Sequence, residues 1–461
     1  MTRFFNNLNQ WLDALNNQTL SSFTPEEIFT QVKSVVHELG LNKKLASFVI
    51  AITGTNGKGS VATCLEALFC ASGKQVGCIT SPHLINFNER IRLNGVPVQD
   101  EQICKAYNLI EQIRKERALG FAHFAYLAGL LILSKKNLDV LILEVGLGGR
   151  LDVMNAVENE MTIITNVDYD HCERLGFTRE EIGFEKAALI RKNTPVVIGD
   201  PSPPQSVLDK AEMQQAKIVC AEKDFFYEEN ENTWRFLFFY FKTELDLRWR
   251  EDDGRGGEEL DSDSFFDRHP CASGDPVYLS KSNMLIQNAA TALQAFLMYA
   301  KKNNLIMEEN TLSSVFLNLK VPGRQEKQTK QCDWLLDVAH NPQAVNALVQ
   351  AIKQGKKYQK VYAIFGMCTD KDILNSLKPM VPLVDEWMLC PLSSVRSAKK
   401  AELKTIFKLL HCENFDYHDT VQAALDRVCV KAQADDLVVV FGSFMLVGEV
   451  KKWINHCNVD Y

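Results

Sequence analysis

The chain has 461 residues, 46% of them hydrophobic and 24% charged, with a formal net charge of -7. This balance excludes a disordered or fibrous protein and leaves room for two or three domains with ample core. The acidic charge argues against a nucleic-acid surface and favours small-molecule chemistry. Thirteen cysteines, an odd number with no C-x-x-C spacing, read as reduced thiols rather than a disulfide framework. The opening MTRFFNNLNQWLDALNN has no continuous apolar core, and no run of about 20 apolar residues follows. A cytoplasmic protein with no membrane partner is expected.

In chain order, Thr24-Pro25-Glu26-Glu27 supplies an N-cap, a first-turn proline and a capping-box glutamate, and predicts an amphipathic helix ending at Gly40. Residues 48–52 are an unbroken apolar run, as in a parallel strand buried on both faces. Residues 61–72 then place Val61, Leu65, Leu68 and Phe69 on one helical face. Between them, residues 53–60 read Thr-Gly-Thr-Asn-Gly-Lys-Gly-Ser. Gly54, Gly57 and Gly59 free the backbone around Thr55 and Asn56 to point N–H groups at phosphate oxygens, and Lys58 adds a point charge. The strict phosphate-loop pattern is not met, because its first glycine falls at Ile52 and Gly59 follows the lysine. Ser60 is the nearest hydroxyl for magnesium. The loop says nucleotide, or at its plainest a glycine-rich turn, and nothing about the reaction.

Further strands are predicted at 76–80, 140–145, 161–167 and 195–198, separated by helices near 100–116 and 121–136. That alternation marks a mostly parallel sheet covered by helices. Ligands of such sheets sit beyond the carboxyl ends of the strands. There the sequence places Ser81-Pro82-His83, Glu144 and Asp168-Tyr169-Asp170-His171. Glu144 is a hard oxygen donor for magnesium beside phosphates, or else a solvated strand end. Gly146, Gly148 and Gly149 approach a dinucleotide fingerprint, but Leu151 breaks its spacing, which leaves a flexible substrate loop. His171 stands between a functional and a structural reading. Lys186, on a helix capped by Thr178 and Glu181, reads as a surface lysine.

Two aromatic segments, 225–227 and 234–241, flank an acidic turn and predict a small hairpin, followed by an acidic loop through Asp252, Asp253, Glu258, Glu259 and Asp261. Without interleaved positive charge these aromatics are packing residues, not a base-stacking platform. Helices are predicted at 284–300 and 312–319. Pro322-Gly323 then marks a change of unit, and strands at 334–338, 360–365, 386–389 and 437–441 predict a second, smaller α/β domain. Two such domains form a cleft that can close on substrates. Asp337-Val338-Ala339-His340-Asn341-Pro342 ends its first strand, as ligand contacts or as turn chemistry.

Taken together, GTNGKGS (54–60), TSPHL (80–84), NERI (88–91), EVGLGGRLD (144–152), DH (170–171), EKA (185–187), QNAATAL (287–293), PGR (322–324), DVAHNP (337–342) and DKD (370–372) resemble the folylpolyglutamate synthase and dihydrofolate synthase family of the Mur-ligase superfamily. The resemblance implies an α/β fold: a mostly parallel-sheet P-loop ATPase domain with a small antiparallel β element over 1–319, and a smaller Rossmann-like glutamate-ligase domain over 320–461. It implies a monomeric ATP-dependent ligase that adds L-glutamate to dihydropteroate and to the γ-carboxylate of reduced folates, or to the latter alone. Residues 54–60, Asn288, Arg324, Asp337 and His340 would contact ATP. Ser81 and Glu144 would hold one magnesium, and His171 would help hold a second. Lys58, His171 and Lys186 would serve catalysis, with Lys186 carried as an N6-carboxylysine. Phe121, His123, Asp152 and Val153 fall at pterin-facing positions. Phe121-Ala122-His123, Asp152-Val153-Met154-Asn155 and Cys172-Glu173-Arg174 depart from the usual family residues and put the shape of the pterin pocket in question.

Overall fold

The computed structural model describes residues 4–17, 23–230, 233–238 and 277–456. Its first sheet contains β1 (Phe48–Thr53), β2 (Val76–Ile79), β3 (Ile91–Leu93), β4 (Val96–Pro97), β5 (Val140–Glu144), β6 (Met161–Ile164), β7 (Pro195–Ile198) and β8 (Lys217–Cys220), in the order β4-β3-β2-β5-β1-β6-β7-β8. The strands from β2 to β8 in that order run parallel, while β3 and β4 pair antiparallel at one edge. All six residues of β1 are buried. Val49 and Ala51 face a core built with helices Leu8–Asn16, Pro25–Glu38, Asp100–Arg114 and Phe121–Leu133. Phe48, Ile50 and Ile52 face the opposite core, built with Lys58–Ala71, Ile286–Lys302 and Glu309–Asn318. A strand covered on both faces needs no polar alternation, which is why the apolar runs located these strands correctly. The expected capping box is present, with Thr24 and Glu27 exchanging hydrogen bonds.

The expected hairpin is there and gains a third strand: β9 (Phe225–Glu229), β10 (Thr233–Phe238) and β11 (Val277–Ser280) form an antiparallel sheet. Trp234 and Phe236 are buried in the core, as packing predicts. Residues 239–241 and the acidic loop from Asp252 to Asp261 lie outside the described residues. The second sheet holds β12 (Glu326–Thr329), β13 (Asp333–Asp337), β14 (Val361–Phe365), β15 (Glu386–Leu389), β16 (Phe415–Tyr417) and β17 (Leu437–Phe441), ordered β12-β13-β17-β14-β15-β16 and parallel except for β12. No described helix is long and apolar enough to cross a membrane.

Register brings the chemistry together. Ile52 of β1 lies beside Glu144 of β5, and Thr53 lies beside Ile164 of β6, so the loops after these strands leave the sheet side by side. The carboxyl end of β13 opens onto the same cleft from the second lobe, where Asn56 and Asn341 exchange amide hydrogen bonds at 2.9 and 3.2 Å.

Candidate active site

The loop after β1 turns into its helix through Gly57, which sits in the left-handed region at φ 85 and precedes the first helical residue, Lys58. A side chain there would meet the Asn288 amide, its Oδ1 only 2.3 Å from an added Cβ; at Gly54, with φ 146, Thr165 Oγ1 would be 1.8 Å away. Glycine is therefore required at both places by conformation and by space. The N–H groups of Thr55 and Asn56 are already engaged by Asn166, at 3.0 and 2.9 Å. Hence the amides open to an anion begin at Gly57 and run into the helix N-terminus, a narrower cradle than the whole 54–60 stretch. Lys58 folds back over it, its Nζ 3.0 Å from Gly54 O and 3.2 Å from Thr55 O.

One cavity gathers Lys58, Ser81, Glu144, Asp170, His171, Lys186, Arg324 and His340. Glu144 is buried, not the solvated strand end that sequence left open, and burial is the first cause that raises its pKa, opposed by Lys58. Its Oε2 accepts the Ser81 N–H at 2.9 Å, while no described donor meets Oε1. Gly59 lies against this carboxylate, an added Cβ falling 3.6 Å from Oε2, so its lack of a side chain keeps that face open. Ser81 Oγ is 2.7 Å from the buried Tyr126 hydroxyl. Ser81 and Glu144 are the hard oxygen donors that magnesium takes, and this ion usually completes its shell with phosphates and water. No group of three or more His, Cys, Asp or Glu able to hold a metal occurs among the described residues, so an ion held by Ser81 and Glu144 would need phosphates and water for the rest of its shell. Ser60 is buried and lines an adjoining cavity with Asn288, Arg324 and Asp337, apart from Ser81 and Glu144.

Lys186 is not a surface lysine: it is 2% exposed at the floor of the cavity, and burial followed by the nearby Lys58 charge pulls its pKa down to about 7. The helix Arg179–Ala187 is amphipathic, and its capping box fixes the turn that aims this residue inward. His171 takes a left-handed backbone, φ 52, and burial pulls its pKa down to about 4, so the ring is neutral near pH 7. Lys371, from the second lobe, places Nζ 2.7 Å from Asp170 Oδ1 and 3.0 Å from His171 Nε2. Burial opposes ionisation of Asp170, but Lys371, His171 and His340 outweigh it and hold the carboxyl well below its ordinary range. His340 Nδ1 pairs with Val338 O at 2.8 Å, and burial lowers its pKa to about 4. Arg324 is half-buried, with its guanidinium 5.2 Å from the Phe444 ring centroid. Asp337 accepts the Gln325 and Ala339 N–H groups at 2.9 and 2.8 Å.

The four positions expected to face the pterin do not line this cavity. Asp152 lies closest: its carboxylate accepts N–H bonds from the cavity residues Gly146 and Leu147 at 3.1 and 3.4 Å and from Met154 at 2.9 Å, and burial raises its pKa to about 6. Val153 is 2% exposed inside the apolar core. His123 Nδ1 caps its own helix by accepting the Gly120 N–H at 2.9 Å, and Phe121 packs edge-on to Phe87 at 5.8 Å. Sequence reasoning missed Tyr126, which sits inside an apolar helix with no polar pattern, and gave Asp170, Asn341 and Lys371 no role of their own. The last lies in the DKD run, a signal that was present and unread.

Residues 52–234 match the Mur ligase middle domain and residues 323–444 the Mur ligase, glutamate ligase domain. The dihydrofolate synthase/folylpolyglutamate synthase of Escherichia coli K12 is 32% identical over 448 residues, 97% of this chain and 96% of that protein. Among solved structures, E. coli FolC in complex with DHPP and ADP superposes with a TM-score of 0.84 at 30% identity, covering 98% of each chain. A bifunctional folylpolyglutamate synthase/dihydrofolate synthase with Mn, AMPPNP and L-glutamate bound superposes with a TM-score of 0.81 at 31% identity, covering 99% of this chain and all of that one. With two family domains in order and near-complete coverage at that identity, the chain belongs to the dihydrofolate synthase/folylpolyglutamate synthase family of Mur ligases.

Proposed function

We propose that this chain is an ATP-dependent ligase that joins L-glutamate to dihydropteroate, forming dihydrofolate, and to the γ-carboxylate of reduced folates, forming folylpolyglutamates. The observation that carries the reading is the single cavity shared by a phosphate loop, a Ser81–Glu144 oxygen pair and the second-lobe residues Arg324 and His340. A carboxylate is a poor electrophile, so its oxygen takes the γ-phosphoryl group of ATP, releasing ADP and leaving an acyl phosphate. The glutamate amine then attacks the acyl carbon and inorganic phosphate departs. Such transfer depends on positioning and on charge placed in advance, which Lys58, Arg324 and the helix N-terminus supply here. The relatives' DHPP, ADP, AMPPNP and glutamate ligands support this substrate set.

The nucleotide contacts we assign are Gly57, Lys58, Gly59 and Ser60 from the loop, with Asn288, Arg324, Asp337 and His340. Two magnesium ions are proposed, one held by Ser81 and Glu144 and a second near His171, neutralising charge that develops on the transferred phosphoryl group. Lys186, with a pKa near 7, offers the neutral amine that CO2 needs: the N–C bond forms, a proton leaves, and a buried cation becomes an anionic oxygen donor beside His171. The pterin is assigned to the side of the loop at Asp152. We place the protein in the cytoplasm, acting as a monomer.

Incubation with dihydropteroate, L-glutamate and MgATP tests the reading. Dihydrofolate, ADP and phosphate in equal amounts are expected, together with chain extension on a reduced folate. Extension without dihydrofolate would leave the polyglutamate activity alone, and a phosphorylated substrate without an amide would sink the ligase reading.

A further inference from the structure

The loop between β2 and β3 carries Ser81 at one end and reaches the second lobe with Leu84. The Leu84 side chain packs against the core made by the helix Phe444–His456 and β13, β14 and β17. Its seat is floored by two glycines. An added Cβ at Gly448 would lie 1.9 Å from Leu84 O, and one at Gly323, with φ 67, would lie 3.3 Å from Leu84 Cδ1. A glycine inside a helix costs about 1 kcal/mol relative to alanine, and the close approach of Leu84 accounts for the one at position 448. Behind the seat the loop is held by hydrogen bonds. Glu89 accepts the N–H groups of Leu84, Ile85 and Asn86 at 2.8, 3.1 and 2.6 Å. Arg92 then joins Glu89 O to Thr80 Oγ1, both at 2.8 Å, and donates through Nε to Glu66 of the phosphate-loop helix at 2.8 Å. Glu66 is 4% exposed, so that pair is shielded from water.

We infer that Leu84 is a positioning residue that ties seating of the second lobe to the strand end bearing Ser81 and to the helix that begins the phosphate cradle. The role rests on the ligase reading above for its catalytic meaning, not for its mechanics. The seat, the three-amide clamp of Glu89 and the Arg92 bridge form one continuous chain of contacts from Gly448 to Glu66. Contiguous packed side chains and hydrogen bonds of this kind are what carry a displacement from one site to another.

The test is Gly448→Ala in the full chain, followed by amide hydrogen exchange of the ligand-free protein and by steady-state kinetics. Exchange in the peptide spanning 82–88 is expected to accelerate at least tenfold while that in 121–133 of the same lobe stays unchanged, and kcat is expected to fall at least tenfold. If that variant does not fold, Leu84→Ala empties the seat without overlap and carries the same expectation, with Leu84→Met restoring both readouts. Unchanged exchange, or faster exchange with kcat within twofold of wild type, overturns the inference. Wild-type protein that forms no glutamyl product would instead defeat the functional reading, and the exchange experiment would still decide whether Leu84 couples the lobes.

Discussion

Burial decides the chemistry of single residues here. Glu144 lines the cavity with one oxygen held by Ser81 N–H, so Glu144→Ala should lower kcat by at least about 10²–10³, the range for loss of one preorganised electrostatic group. A binding assay with a non-hydrolysable ATP analogue separates this from loss of nucleotide. Lys186 is shifted down to about 7 by burial. Below that pH the amine is protonated and cannot take up CO2; above it the neutral amine is available. A carbamate signal in 13C NMR with labelled bicarbonate should therefore rise as pH increases through 7 and be missing in Lys186→Met.

Elements translate sequence into placement with unequal clarity. At the phosphate loop, Gly57→Ala meets both a left-handed backbone, costing roughly 1–2 kcal/mol, and the Asn288 amide. Its KM for ATP should rise at least tenfold, whereas Gly59→Ala, with only ordinary contacts to Glu144, should show the smaller change; kinetics of the two side by side checks it. The inner strands were legible because strands covered on both faces read as unbroken apolar runs, such as residues 48–52 of β1. The edge strands were not. β3 and β4 have three and two residues, and β8 and β12 begin at Lys217 and Glu326, so no run or alternation long enough to read exists. Lys186 was misplaced for a related reason: a charged residue beside Glu185 carries no mark in the sequence of the loops that will cover it. Glu144 and His171 could be placed at the cavity because strand ends point to a known rim, while Lys371, the partner of Asp170, lies 201 positions away in the chain.

At the scale of the whole molecule, the lobes meet over a buried ion pair, Lys371 with Asp170, their side chains 9% and 10% exposed. Removing one partner of such a pair costs about 3–5 kcal/mol because the other charge is stranded. Lys371→Met should therefore loosen the closed arrangement, seen as a larger radius of gyration by small-angle scattering with nucleotide present. The pH dependence follows from the same carboxylate. Its folded pKa is depressed from 3.8, so its contribution is fully present above that value and disappears as pH falls toward the folded pKa. A thermal-melt series from pH 6 down to 3 should show Lys371→Met losing less stability on acidification than wild type.

Alongside that pair, Asn56 and Asn341 grip each other with uncharged amides. Dissolved ions screen exposed charges and have little hold on neutral dipoles or on a sequestered pair. These two contacts between the lobes should therefore weaken little as ionic strength rises severalfold, unlike an exposed ion pair in the same place.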